Sequence, residues 1–203
     1  MIDGINEIQY KKSDVILFNS YSKSDSVVLS NHYPCSLKYD NEYFESAEQL
    51  FFMMRLSGHT EVQEQILKCK DAKEVKKVGG AALKRLKIKE TPEKLVAQLR
   101  FCIRLKFNQC DEFRQFLCEH QGKQIVEYST WGDDTWGAVD VDPFNKWSWY
   151  KGYVKGQNIC GRLIQETRKE GITPDGDGYI ELPVELPFCT SVHPDLTYMY
   201  KLW

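Results

Sequence analysis

Glu48, Phe52 and Arg55 stand four and then three residues apart. On a helix that spacing stacks a carboxylate, an aromatic ring and a cation along one face. A carboxylate so placed can stabilise a developing cation or take a proton from an attacking water. A glutamate in a first helical turn is also favoured by the helix dipole alone, so the spacing by itself leaves both readings open. The second chemical cluster is Trp131, Asp133, Asp134 and Trp136. Two indoles flanking carboxylates suit stacking on a base while a carboxylate hydrogen-bonds sugar or base, although tryptophans also plug core edges. Lys106 closes an apolar stripe, where a lysine either snorkels to water or meets a phosphate at a pocket mouth. Gly156, Asn158 and Gly161 open a helix, whose free amides can bind phosphate; Asn158 serves equally well there as a plain N-cap.

The elements that must position these groups are legible from periodicity. Val15 to Phe18 and Val27 to Leu29 read as short strands, and Leu37 to Phe44, broken at Asp40-Asn41, reads as a hairpin. The period then changes to helical. Ser46 with Gln49 forms a capping box, the glutamine reaching back from the third helical position, and Ala47, Leu50, Phe51 and Met54 form the inward stripe. Glu61 to Cys69 is amphipathic. Asp71 with Glu74 starts another helix, which Gly79-Gly80 is expected to end or interrupt. Thr91-Pro92-Glu93 starts a helix carrying Leu95, Leu99, Cys102 and Ile103 inward as far as Phe107. Asp111 to Cys118 is a short helix, Gln124 to Tyr128 a strand, and Ile159 to Lys169 the last helix. Trp131 to Tyr153 is a long Trp-, Gly- and Asp-rich loop of the kind that is often functional. From Gly171 the texture turns to glycine, proline and β-prone residues.

Composition bounds the class. With 203 residues, 42% hydrophobic and 28% charged, the chain can build a core of ordinary globular type. Its net charge of −2 excludes a whole-protein basic field and so a tight nonspecific grip on nucleic acid. The seven cysteines and four histidines are scattered, with no Cys-x-x-Cys pair. They imply reduced thiols rather than a zinc or disulfide framework. No secretion signal or membrane-length apolar run is present, so a cytoplasmic location is expected.

Three ordered segments carry a family resemblance. The first is Ser30-Asn31-His32-Tyr33-Pro34, followed by Glu45-Ser46-Ala47-Glu48. The second is Lys106-Phe107-Asn108-Gln109, followed by Ile125 to Ser129 and then Asp133-Asp134-Thr135-Trp136-Gly137. The third runs from Gly156-Gln157-Asn158-Ile159-Cys160-Gly161 to Arg168. In order and spacing this set resembles the NADAR (YbiA-like) family over about residues 16 to 169. The resemblance implies an α+β fold, a helix-rich single domain with a small N-terminal sheet over 1–170; residues 171–203 have no counterpart in it and are expected, from their change of texture, to pack on that domain as an extension. It implies hydrolysis of a ribose C1–N bond with no metal or other cofactor, Glu48 being catalytic and Asp133 its companion. Substrate contacts are then expected from Asn31, Phe52, Arg55, Lys106, Trp131, Asp134, Trp136, Gly137, Asn158 and Gly161. Asp134 competes with Asp133, because one additional residue separates Glu127 from Trp136. Arg55 stands where the family often has Lys, and Gly80 where it tends to carry Arg, which leaves one phosphate contact open.

The implied substrates divide. One branch removes ADP-ribose from modified guanine in nucleic acid or nucleotide. The other cleaves phosphoribosylamino-pyrimidine intermediates of riboflavin synthesis. A module that binds ADP-ribose or NAD-like ligands without turnover is the rival from another class. The expected partner is thus a nucleotide-like molecule or ADP-ribosylated nucleic acid, with no membrane and no obligate protein partner.

Overall fold

The computed structural model describes residues 2, 4–39, 42–144, 152–173 and 176–182. The fold is α+β. The chain divides into two compact units, Met1–Ser30 with Asp111–Ile180, and Asn31–Cys110 with Glu181–Trp203.

The first unit mixes strands from both ends of the chain. Strands β1 (Ile8–Lys11) and β2 (Val15–Phe18) lie either side of a 3-10 turn, Lys12–Asp14. Strand β2 pairs in parallel with β5 (Gln124–Glu127), Ile16 opposite Ile125. Strand β1 pairs antiparallel with β7 (Tyr153–Gly156), which also takes the short β6 (Val139–Asp140) on its other side. Neither β1 nor β6 has a sequence-local partner, so no turn signal announces them. Tyr10, Val126, Tyr128, Ala138 and Val154, drawn from both small sheets and the bridge between Tyr128 and Ala138, form one buried cluster of this unit. The Val27–Leu29 run is a 3-10 helix, Asp25–Leu29, rather than a strand. Linked hydroxyls of Ser22, Ser24 and Ser26 close the segment locally, and Ser26 Oγ donates to Leu17 O (2.8 Å). Such side-chain bonds favour a turn over an extended ladder. Helix α5 (Asp111–Glu119) and the final helix α6 (Ile159–Gly171) complete the unit with the hairpin β8 (Ile172–Thr173) and β9 (Gly176–Asp177).

The second unit is helical around one central element. Hairpin β3 (Leu37–Tyr39) and β4 (Glu42–Phe44) pairs Lys38 with Tyr43; its Asp40-Asn41 turn lies outside the described residues. Helix α1 (Ala47–Arg55) packs against α2 (Thr60–Leu67), α3 (Ala72–Arg85) and α4 (Pro92–Gln109). It is therefore buried nearly all round, Phe52 and Met53 included, and only Phe51 and Arg55 are partly exposed. That differs from the single inward stripe read from periodicity. Three neighbouring helices rather than one leave the helix no solvent-facing side.

Both capping boxes form, shifted by one position. Ser46 Oγ accepts from Gln49 N (3.2 Å), but the Gln49 side chain accepts from Glu45 N (2.7 Å). Likewise Asp71 caps Lys73 N and Glu74 N, while Glu74 accepts from Lys70 N (2.8 Å). Each box thus satisfies the amide one residue before the cap.

Gly79 and Gly80 neither end nor interrupt α3, which runs on to Arg85. The reason is packing. A Cβ on Gly79 would lie 2.2 Å from the Phe52 ring. The missing side chain lets α1 and α3 close, and the helix accepts glycine's entropic cost.

The six described cysteines are free thiols, four of them buried; Cys189 and the rest of 183–203 lie outside the described residues, as do 145–151 of the long loop. Leu182 packs against the core of the helical unit. No described helix is long and apolar enough to cross a membrane.

Candidate active site

Glu48 sits in the first turn of the central helix α1, as its motif requires, with a side chain only 11% exposed. Its backbone N–H donates to Asn31 O (2.9 Å), so the Ser30–Pro34 loop is tied directly to the helix start. That bond also satisfies one of the amides a helix leaves unpaired. Through it the next residue, His32, comes within reach. His32 Nε2 lies 3.6 Å from Glu48 Oε1, its own side chain 17% exposed. At that distance the two side chains face each other without a formed hydrogen bond. Tyr33, one residue further, turns to α4, where Lys106 Nζ lies 5.5 Å from its ring centroid. Lys106 is fully buried, so it neither snorkels to water nor stands at an open mouth. Asn31 and His32 thus meet Glu48 at the α1 N-terminus, and Tyr33 links the same loop to Lys106.

The expected cation on the Glu48 face is committed elsewhere. Arg55 donates to Glu90 Oε2 through Nε (2.9 Å) and Nη2 (2.7 Å), and its guanidinium rests over the rings of Phe51 and Phe52. Phe52 itself is buried against Gly79. Gln109, which closes the Lys106 motif, pairs with both backbone groups of Lys38 (2.6 and 2.8 Å). It fastens β3 to the end of α4.

In the strand-containing unit, Ser129 to Gly137 forms a tight turn rather than an open loop. Asp133 N donates to Ser129 Oγ (2.9 Å), and Asp133 Oδ1 accepts from Thr135 N and Trp136 N (both 3.0 Å). This is the local capping that Asp provides in turns. Trp131 projects from it 86% exposed, while Trp136 is half-buried. The core-plug reading therefore fails for Trp131.

The same turn occupies the helix start that sequence offered to phosphate. The amides of Gln157, Asn158, Ile159 and Cys160 donate to the carbonyls of Asp134, Gly137, Thr135 and Trp136. These four amides are already bonded, so they are not the free donors that the sequence offered to phosphate. Asn158 is not a side-chain N-cap either. Held at φ +50°, it donates through Nδ2 to Ile125 O (2.9 Å) and accepts at Oδ1 from Glu127 N (3.0 Å). It staples α6 to β5. Gly161 lets that approach happen, since a Cβ there would lie 2.3 Å from Ile125 O; one on Gly137 would lie 2.7 Å from Glu127 O. Arg168 continues the seam, donating to His120 O and Lys123 O (2.7 and 2.8 Å).

The expected set thus divides between the two units. Asn31, Glu48, Phe52, Arg55 and Lys106 belong to the helical one, Trp131, Asp133, Asp134, Trp136, Gly137, Asn158 and Gly161 to the other. His32 is the neighbour the sequence did not single out. It sits at the unspecified position of its motif, and its one signal was adjacency to Asn31. Among the described residues, no three His, Cys, Asp or Glu side chains gather as a metal site.

The family model for the NADAR domain matches residues 17–170, which span both units. Among solved structures, the NMR structure of the Escherichia coli protein YbiA superposes with a TM-score of 0.54 at 23% identity, covering 76% of this chain and 83% of that one. This is a likeness of fold. No curated protein matches significantly. With Glu48 placed at the capped start of the central helix and the matched stretch running through every motif named above, the chain belongs to the NADAR family.

Proposed function

We propose that the protein is an N-glycoside hydrolase that cleaves a ribose C1–N bond, with Glu48 as its central carboxylate. Family membership supports the N-glycosidase-type role. The observation that carries the reading is the placement of Glu48, a largely buried carboxylate in the first turn of the central helix, beside His32 and supported by the Ser30–Pro34 loop. Water attacks C1 as the C1–N bond breaks. Glu48 takes the water proton or stabilises the cationic sugar; the leaving nitrogen keeps the C1–N bonding pair and takes up the proton that the water gives up, so that OH ends on C1 and H on nitrogen. A pure binding site for an anionic ligand gains nothing from a carboxylate there.

We assign the substrate as ADP-ribose carried on modified guanine. The exposed Trp131 supports this, because an indole standing clear of the surface suits a base presented on a strand or nucleotide. Asp133 and Trp136 belong to the same proposal, with Asp134 as the alternative carboxylate. Incubation with ADP-ribosylated guanine nucleotide or DNA should release free ADP-ribose. A phosphoribosylamino-pyrimidine in a parallel reaction tests the other substrate branch. Binding of ADP-ribose without any turnover of either substrate would replace the enzyme reading with that of a binding module.

A further inference from the structure

We propose that His32 is a positioning residue for Glu48, a role that rests on the N-glycosidase reading above and deepens it. The Glu48 carboxylate is 11% exposed and has therefore lost most of its hydration. A buried carboxylate without polar partners is costly, so its orientation is set by whatever polar groups the fold supplies. Two are supplied here. One is the N-terminal end of α1, which favours negative charge in its first turn. The other is the His32 imidazole, with Nε2 3.6 Å from Oε1.

The backbone fixes that approach. Asn31 O accepts from Glu48 N, so the residue before His32 is bonded to the residue His32 faces. On the other side of His32, Tyr33 lies against buried Lys106 of α4. The His32 backbone is thus held between two anchored neighbours, which bring its imidazole beside the carboxylate. The other charged groups around this helix start have different engagements. Lys106 lies over the Tyr33 ring, Arg55 at the far end of α1 is bonded to Glu90, and Glu45, just before the cap, is exposed.

With its proton on Nε2, His32 donates toward Oε1 and leaves the second oxygen of Glu48 for the reacting water or the sugar. A small rotation closes 3.6 Å to hydrogen-bond length. Catalytic contacts are commonly long in the free enzyme and tighten when substrate binds. No atoms are exchanged between the two residues. His32 fixes direction, and Glu48 does the chemistry.

The test compares His32→Ala and His32→Gln with wild type in the full chain. The amide Nε2 of glutamine can take the place of the imidazole donor. On a substrate that wild type turns over, His32→Ala should lower kcat roughly 10- to 100-fold, the scale of a misoriented reacting group, with KM changed less than about 2-fold. His32→Gln should recover most of the loss. Separately, and without any substrate, the His32 ring resonances in an NMR spectrum should move on Glu48→Gln. Wild-type kcat in His32→Ala, a loss confined to the unfolded fraction with no rescue by glutamine, or His32 signals indifferent to Glu48→Gln would each overturn the proposal. Unchanged turnover in Glu48→Gln would instead defeat the assignment of Glu48 itself.

Discussion

At the scale of single residues, the site is set by which polar side chains are spoken for. Glu48 faces His32, whereas Arg55 is clamped by Glu90 and Asn158 is used at both ends on backbone. Glu48→Gln should therefore leave the fold intact and remove turnover, because the near-isosteric amide neither accepts a proton nor offsets positive charge. Circular dichroism together with a product assay checks both halves; wild-type turnover would refute the assignment. Trp131 makes the complementary case. At 86% exposure its replacement by Ala should leave the melting temperature unchanged. If the indole stacks on the substrate base, KM should rise by the equivalent of about 1–3 kcal/mol while kcat holds. Unaltered KM would show that Trp131 does not contact the substrate.

At the scale of elements, two adjacent glycines predict opposite outcomes. On Gly79 a Cβ meets the buried Phe52 ring, and on Gly80 it meets nothing within 4 Å. Gly80→Ala should thus stabilise by roughly 0.5–1 kcal/mol through helix propensity. Gly79→Ala should destabilise by about 1–3 kcal/mol as α1 and α3 are forced apart. Urea midpoints of the two variants decide it, and equal shifts of the same sign would contradict the packing described. The seam between β5 and α6 gives a third case. Asn158→Ala strands Ile125 O and Glu127 N and puts alanine at φ +50°. Stranded buried groups cost about 1–3 kcal/mol each. The loss should be large by the same urea measurement, and a change under about 1 kcal/mol would count against the staple.

At the scale of the whole molecule, stability should respond to alkali through one buried cluster. Lys12 pairs with Asp140 and lies over the Tyr128 ring, and Tyr128 OH donates to Asp140 Oδ2 (2.5 Å). Burial first, then the Asp140 hydrogen bond and charge, push the Tyr128 phenol well above its usual range. The folded state therefore keeps a proton that the unfolded chain releases near pH 10. The stabilisation is complete below that pH and is lost as pH rises toward the folded value. Urea midpoints between pH 8 and 11.5 should fall in wild type, and Tyr128→Phe should remove part of that slope. An identical slope in the variant would show that Tyr128 contributes nothing to alkaline unfolding.

What the sequence determined by itself was local. Ser46, Asp71 and Thr91 marked three helix starts, because a cap and the first turn lie within four residues of one another. Strand β2 was legible from Val15 to Phe18 as a compact apolar run, and the motif order was enough to name the family. The tertiary structure decided everything that depends on what surrounds an element. It ran α3 through its glycines because Phe52 needed the space, and it filled the α6 amides with carbonyls from a turn some twenty residues earlier. It made β1 a strand through a partner about 145 residues away. It brought His32 to Glu48 across sixteen residues of chain. Periodicity reports which face of an element avoids water; it carries no information on which neighbour covers that face, and a polar group's role depends on that neighbour.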